Sequence, residues 1–347
     1  MHNMSKRGLI FTLTLLIIIL FSFMALYFGY FLVSPAGIDK KETIFIVKKG
    51  AGLRAVANEL QRKSLIKSKD LFILCAILKG GTKDVKAGEY SLNQSMSPLR
   101  IFNILSTGAI KTYTLTIPEG LTAQQIADLL AKKNLTNMSE FIPLVMDKTL
   151  AASYHIDGTN LEGYLFPDTY VISRDTGARE LIDLMIKRFQ KIFTDLIKDQ
   201  ESTTGRLLPA KDIVTLASIV EKEAGLPEEK PIIASVFLNR LKKRMRLESD
   251  PTVIYGLKNF DGNLKKKDLR TPGPYNTYLN YGLPPGPIAN PGRESLMAVL
   301  KPAKTNYLYF VAKNDGSHHF SASLSEHNKA VYRYQKRRRS TSNNKKK

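Results

Sequence analysis

Cysteine is nearly absent. Cys75 is the only one in 347 residues, so no internal disulfide can close, and no cysteine and histidine cluster has zinc spacing. No structural metal is expected. Glycine-rich phosphate loops and dinucleotide fingerprints are also missing, so neither a nucleotide nor any other cofactor is expected. Nothing in a composition of 43% hydrophobic and 24% charged residues suggests collagen, a coiled coil or a disordered chain. Acidic side chains are in deficit, 31 against 52 Lys and Arg, giving a net charge of +21. Such an excess of base suits nucleic acid or an anionic surface. No nucleic-acid motif accompanies it, and seven of the charges lie in the last twelve residues, Lys336 to Lys347. Residues 336–347 read as a disordered solubilising tail, with contact to anionic lipid or polymer as the other reading.

One long apolar run is present. Residues 9–33 carry no charged side chain, and at about 1.5 Å per residue they exceed the roughly 30 Å of a bilayer's hydrocarbon. The run is read as a retained transmembrane helix; Ser34 and Ala36 loosely imitate a cleavage site, but the run is too long for a signal core. Lys6 and Arg7 before the span and Lys40, Lys41, Lys48 and Lys49 after it leave the orientation undecided by charge.

Behind the span lies an internal repeat. Thr43 to Ile66 matches Tyr113 to Thr136 with Gly50 on Gly120, Val56 on Ile126, Ala57 on Ala127, Leu60 on Leu130 and Leu65 on Leu135. Each copy predicts an alternating strand (Ile44, Ile46; Leu115, Ile117), a glycine turn and an amphipathic helix. The first copy, with a helix over 71–78 and a returning strand over 88–92, resembles a LysM-like module of wall-associated proteins, placed at 42–112.

Chemistry is concentrated further on. Asp212 to Ala224, DIVTLASIVEKEA, predicts a helix with Ile213, Leu216, Ala217 and Val220 on one stripe. At about 100° per residue, Glu221 and Glu223 flank that stripe on opposite sides, roughly 160° apart. Either carboxyl, half buried at the stripe's edge, can hold a proton near neutral pH, and periodicity does not choose between them. The loops that follow are rich in Pro, Gly, Tyr, Asn and Thr. Tyr255, Tyr275, Asn276, Thr277, Tyr278 and Asn290 offer hydroxyl, amide and ring faces suited to an uncharged sugar chain.

The motifs LEGYLFPDTY, ASIVEKE, VFLNRL, SDPTVIYG, TPGPYNTY, GLPPGPIANPG, KPAKTNYLYFVA and HHFSASLSEHN, in order from about Leu161 to Asn328, resemble the endolytic murein transglycosylases of the YceG-like family. The resemblance implies a lytic transglycosylase that cleaves the MurNAc–GlcNAc bond of peptidoglycan and leaves 1,6-anhydro ends. It implies Glu221, the first Glu of ASIVEKE, as catalytic acid and base, with no second carboxylate required. It also implies peptidoglycan strands and wall-synthesis enzymes as partners, a short cytoplasmic segment at 1–8, and a YceG-like catalytic domain at 113–335 outside the membrane.

Supporting roles are expected of Glu223, Asn239, Arg240, Thr252 and His319. Asp250 reads equally as a helix cap or a site group, and Glu162 as a turn residue or a groove residue. His318 and His319 have no third ligand at metal spacing. The expected architecture is α+β: anchor, small LysM-like α+β module and a larger mixed domain. The alternative reading is a membrane-tethered peptidoglycan-binding scaffold that never cuts.

Overall fold

The computed structural model describes residues 6–80, 85–133, 138–201 and 208–336. The expected tail over 337–347, most of the expected cytoplasmic segment, and Leu135 of the repeat lie outside the described residues. The protein is mixed α+β, and the chain divides into two compact units, one of residues 1–113 and 171–175, the other of 114–170 and 176–347.

The first unit opens with α1 (Lys6–Val33), whose Leu9–Val33 stretch is long and apolar enough to cross a membrane. Then follow β1 (Thr43–Val47), α2 (Leu53–Arg62), α3 (Lys69–Leu78), β2 (Gly88–Leu92) and α4 (Pro98–Thr107). β1 and β2 pair antiparallel, Thr43 opposite Leu92 and Val47 opposite Gly88. Phe45, Val56, Leu60, Phe72, Tyr90 and Leu105 form the core between ribbon and helices, each large side chain contributing about 1.5–3 kcal/mol by leaving water. The strand alternation runs opposite to expectation: Phe45 and Val47 face inward, while Ile46 is exposed. Every residue of TIFIV after Thr43 is apolar, so the pattern offers two phases and the tertiary packing selects one.

In the second unit the repeat recurs as β3 (Tyr113–Thr116), which begins at the boundary, and α5 (Ala123–Lys133). Here Leu115 and Ile117 are buried as expected, and Ile126, Ala127 and Leu130 match the buried Val56, Ala57 and Leu60. Gly50 and Gly120 both sit at positive φ, 77° and 73°, so the equivalent turns demand the same left-handed backbone. After α6 (Met138–Val145) and α7 (Lys148–Ser153), β4 (Thr169–Ile172) pairs with β3.

The remainder is mostly helical: α8 (Ala178–Glu201), α9 (Ala210–Glu223), α10 (Lys230–Lys242), α11 (Asp250–Gly256) and α12 (Arg293–Leu300), then the hairpin β5 (Tyr309–Ala312) and β6 (His318–Ser321), and α13 (Leu324–Val331). α9 is the hub, packed on α10, α11 and α12. It is buried all round from Ile213 to Val220, not along one stripe. Of its buried hydroxyls, Ser218 Oγ donates to Thr215 O at 2.7 Å and accepts from Ile288 N at 3.0 Å, while Thr215 Oγ1 has no partner among the described residues. The described residues contain three two-stranded sheets and no larger one.

Candidate active site

The two carboxylates of α9 part company. Glu221 turns toward α10 and α12. Its oxygens accept from Lys230 Nζ at 3.2 Å each, from Gly292 N at 3.0 Å and from Ser295 Oγ at 2.5 Å. Both partners of the ion pair are largely buried. Glu221 therefore caps the start of α12, where unpaired N–H groups favour an anion, and bolts three helices together. Glu119 joins the cluster 3.6 Å from Lys230. Burial first and the nearby Glu221 second push its carboxyl upward. Gly292 lies so close to the Glu119 carboxylate that any Cβ there would overlap it. None of the tyrosines of the 275–278 loop bonds to Glu221 among the described contacts.

Glu223 turns the other way, into a cleft of about 370 Å³ lined also by Arg240, Glu248, Asp250, Tyr278, Phe310, His318 and His327. Burial drives its carboxyl up to about 7; the Ser249 hydroxyl, donating at 2.6 Å, opposes this, the Asp250 charge reinforces it, and His318 and Arg240 oppose it. A carboxyl with that setting is about half protonated at neutral pH, so it can both give and take a proton there. The sequence expectation gave this role to Glu221. The structure surrounds Glu221 with donors and gives the cleft-facing carboxyl to Glu223.

Around Glu223 the loops supply fixed neighbours. Asp250 opens α11 without capping it; its Oδ1 accepts from Tyr278 Oη at 2.6 Å, which makes it a cleft group. Arg240 is held by carbonyls of Leu308, Arg246 and Leu247, by Glu248 Oε2 at 3.1 Å, and under the Tyr309 ring. His318 is fixed twice by Glu229, through its backbone N–H at 2.9 Å and ring Nδ1 at 2.7 Å. His319, the histidine expected in the groove, lies outside this cleft beside Tyr334. Neighbouring strand residues point to opposite faces, so only one of the pair can reach the cleft.

Other expected site residues are hydrogen-bonded to neighbouring loops and helices. Asn239 Nδ2 donates to the carbonyls of Thr305 and Tyr307, tying α10 to the approach of β5. Thr252 and Thr277 share a buried hydroxyl contact at 2.8 Å, and Asn276 holds its own loop through Leu269 O and Thr271 O. The rings of Tyr255 and Tyr275 meet tilted, centroids 4.9 Å apart, and Tyr255 Oη donates to Glu162 Oε2 at 3.3 Å. Burial raises Glu162 to about 7, against donors from Ala123 N, Tyr255 and Asn290. Asn290 is fully buried, its Oδ1 accepting from Gly163 N and Leu165 N. Glu162 thus centres a second buried acidic network, separate in its partners from that of Glu223.

Sequence reasoning missed Glu229, and it favoured His319 over His318 as the histidine of the cleft. The available signal was Gly225 after EKEA and Gly316 before the histidines: a Cβ on Gly225 would strike Gly316 O, so α9 ends against the β5–β6 turn. Gly225→Ala is accordingly expected to destabilise the second unit by about 1–3 kcal/mol through overpacking, read as a lowered midpoint in urea. An unchanged midpoint would mean that this approach is loose.

A partly protonated carboxyl in a polar cleft defines a candidate acid–base site in the second unit, and the first unit carries one helix long and apolar enough to cross a membrane. The chain belongs to the YceG-like family, whose model matches residues 45–333. It is 37% identical over 330 residues to the endolytic murein transglycosylase of Bacillus subtilis (strain 168), spanning 89% of this chain and 90% of that protein. The endolytic murein transglycosylase of Streptococcus pneumoniae (strain R6) is 31% identical over 346 residues, 88% of this chain and 61% of that one. The crystal structure of a yceG-like protein from Listeria monocytogenes matches 84% of this chain and all of its own, with TM-score 0.56 and 34% identity.

Proposed function

We propose that this chain is an endolytic murein transglycosylase in which Glu223 is the single catalytic acid and base. The family, and relatives bearing that name over most of the chain, support the activity. The observation that carries the residue assignment is the cleft-facing, half-buried Glu223 carboxyl raised to about 7.

Protonated Glu223 gives its proton to the glycosidic oxygen, which leaves as the 4-hydroxyl of GlcNAc while an oxocarbenium-like centre develops on MurNAc. The resulting carboxylate then takes the proton of that ring's own 6-hydroxyl. O6 closes on C1, and the 1,6-anhydro end forms without water. Arg240 and His318 steady the carboxylate between the two transfers, and Asp250, aimed by Tyr278, faces the positive charge on the sugar. Solubilised full chain incubated with polymeric glycan strands is expected to release fragments with anhydro ends. Reducing ends would mean hydrolysis, and strands that bind but are never shortened would mean a scaffold.

Because the acid form reacts, kcat/KM is expected to fall as pH rises through about 7, approaching tenfold per unit above it. A profile flat from pH 6 to about 9 would remove Glu223 from the role.

The cell-level reading follows from the same assignment. α1 anchors the chain once in the plasma membrane, N-terminus in the cytoplasm, with both units outside, where strands and wall-synthesis enzymes are met. The β1–α2–α3–β2 arrangement supports a LysM-like, glycan-holding role for the first unit. Protease added to intact spheroplasts should digest both units; protection would reverse the topology.

A further inference from the structure

The apolar helix is not loosely strung to the first unit. Phe31, inside the apolar stretch, is buried, and Phe28 and Leu32 are half-buried. The elements that α1 packs against within this unit are α3 and α4. The chain after it is pinned as well: Lys67 Nζ donates to Ser34 Oγ at 3.1 Å, Gly37 N to Gln94 O at 3.0 Å, and Ser95 N to Asp39 O at 3.1 Å. If α1 spans a bilayer, its last turns fix the depth of whatever covers Phe28 and Phe31. That depth is the boundary of acyl chains and headgroups.

α3 has the composition for such a place. Its inner side, Phe72, Cys75 and Ala76, is buried in the core. Leu74 and, one helical turn on, the adjacent Ile77 and Leu78 remain exposed at 41%, 52% and 68%, an apolar patch on the outer side of the helix. Lys67, Lys69 and Lys79 flank this stripe against one acid, Asp70, while Ile38, 94% exposed, is followed by a segment of no net charge, Asp39, Lys40, Lys41 and Glu42. Apolar side chains between lysines match an anionic lipid surface, in which hydrocarbon receives the former and headgroups the latter.

We propose that α3 is an interfacial membrane helix, seating Leu74, Ile77 and Leu78 in the outer leaflet beside the emerging α1 and so fixing the attitude of the first unit on the bilayer. The inference rests on reading α1 as a span. The occupant is anionic lipid: the stripe lies on a helix packed against the one that enters the membrane, and the lysines flanking α3 have the complementary sign.

The chain contains no tryptophan, so a single Trp reports without background. Full-length Leu78→Trp and, separately, Phe21→Trp are reconstituted in vesicles of phosphatidylglycerol and phosphatidylcholine, with acyl chains brominated either near the headgroup or near the chain end. Leu78→Trp is expected to lose about half its emission to shallow bromines, as for a helix buried 5–10 Å into the boundary, and to resist aqueous iodide. Phe21→Trp is expected to respond to the deep bromines. Should Phe21→Trp be quenched while Leu78→Trp keeps its emission and yields to iodide, the docking helix is refuted and the span stands. Protection from both quenchers at Leu78→Trp means a protein partner in place of lipid and also overturns the proposal. If neither substitution senses bromine, the span itself fails and takes the docking helix with it.

Discussion

Glu223→Gln is expected to abolish release of anhydro-ended fragments, by about 10³-fold or more, because one group supplies both proton transfers and amide can supply neither. Mass spectrometry of the products after prolonged incubation with polymeric strands measures it. The same substitution carries a stability signature of opposite sense. Glu223 is neutral in the fold up to about 7, against an ordinary value of 4.5. The folded protein therefore binds more protons than the unfolded chain between those values. The resulting stabilisation is fully present below 4.5 and is lost as pH rises through about 7. Glutamine keeps the Ser249 hydrogen bond and never ionises. The variant is expected to match the parent near pH 5 and exceed it near pH 8 by on the order of 1–3 kcal/mol. A variant that is inactive but equally stable across that range would place Glu223 in a solvated site.

Glu221→Ala is expected to cost about 3–5 kcal/mol, the penalty for stripping one partner from a buried ion pair. Lys230 Nζ, Gly292 N and Ser295 Oγ would lose their acceptor together. The thermal midpoint should fall by on the order of 10 °C. Glu221→Gln preserves size and part of the bonding, and per folded molecule its kcat should stay within about tenfold of the parent. These paired substitutions decide between the two glutamates. A Glu221→Gln protein that folds like the parent yet cuts nothing, beside an active Glu223→Gln protein, would return catalysis to Glu221.

The helical angles alone place Glu221 and Glu223 on opposite flanks of α9, and the structure keeps them apart. What periodicity lacks is the company each keeps. Lys230 is nine positions from Glu221, but Ser295 is 74 away, and no local pattern announces that α12 begins against α9. The repeat is legible for the same reason that its partners are local: glycine turn and helix lie within one stretch, and Val56, Ala57 and Leu60 reappear as Ile126, Ala127 and Leu130. The strand phase is not, since TIFIV is apolar on both faces. His318 and His319 are adjacent in sequence, and only the hairpin register, Val311 opposite His319 and Ala312 opposite His318, together with Glu229, separates their surroundings. The tyrosines of 275–278 read alike as loop residues, yet Tyr275 packs tilted against Tyr255 while Tyr278 holds Asp250.

The first compact unit is drawn from two stretches of sequence, residues 1–113 and 171–175. One recombination junction anywhere between 113 and 171 would carry away the longer stretch and abandon the shorter. A single-cut exchange of the first unit is therefore incomplete, and an exchange that keeps both of its stretches together needs two cuts.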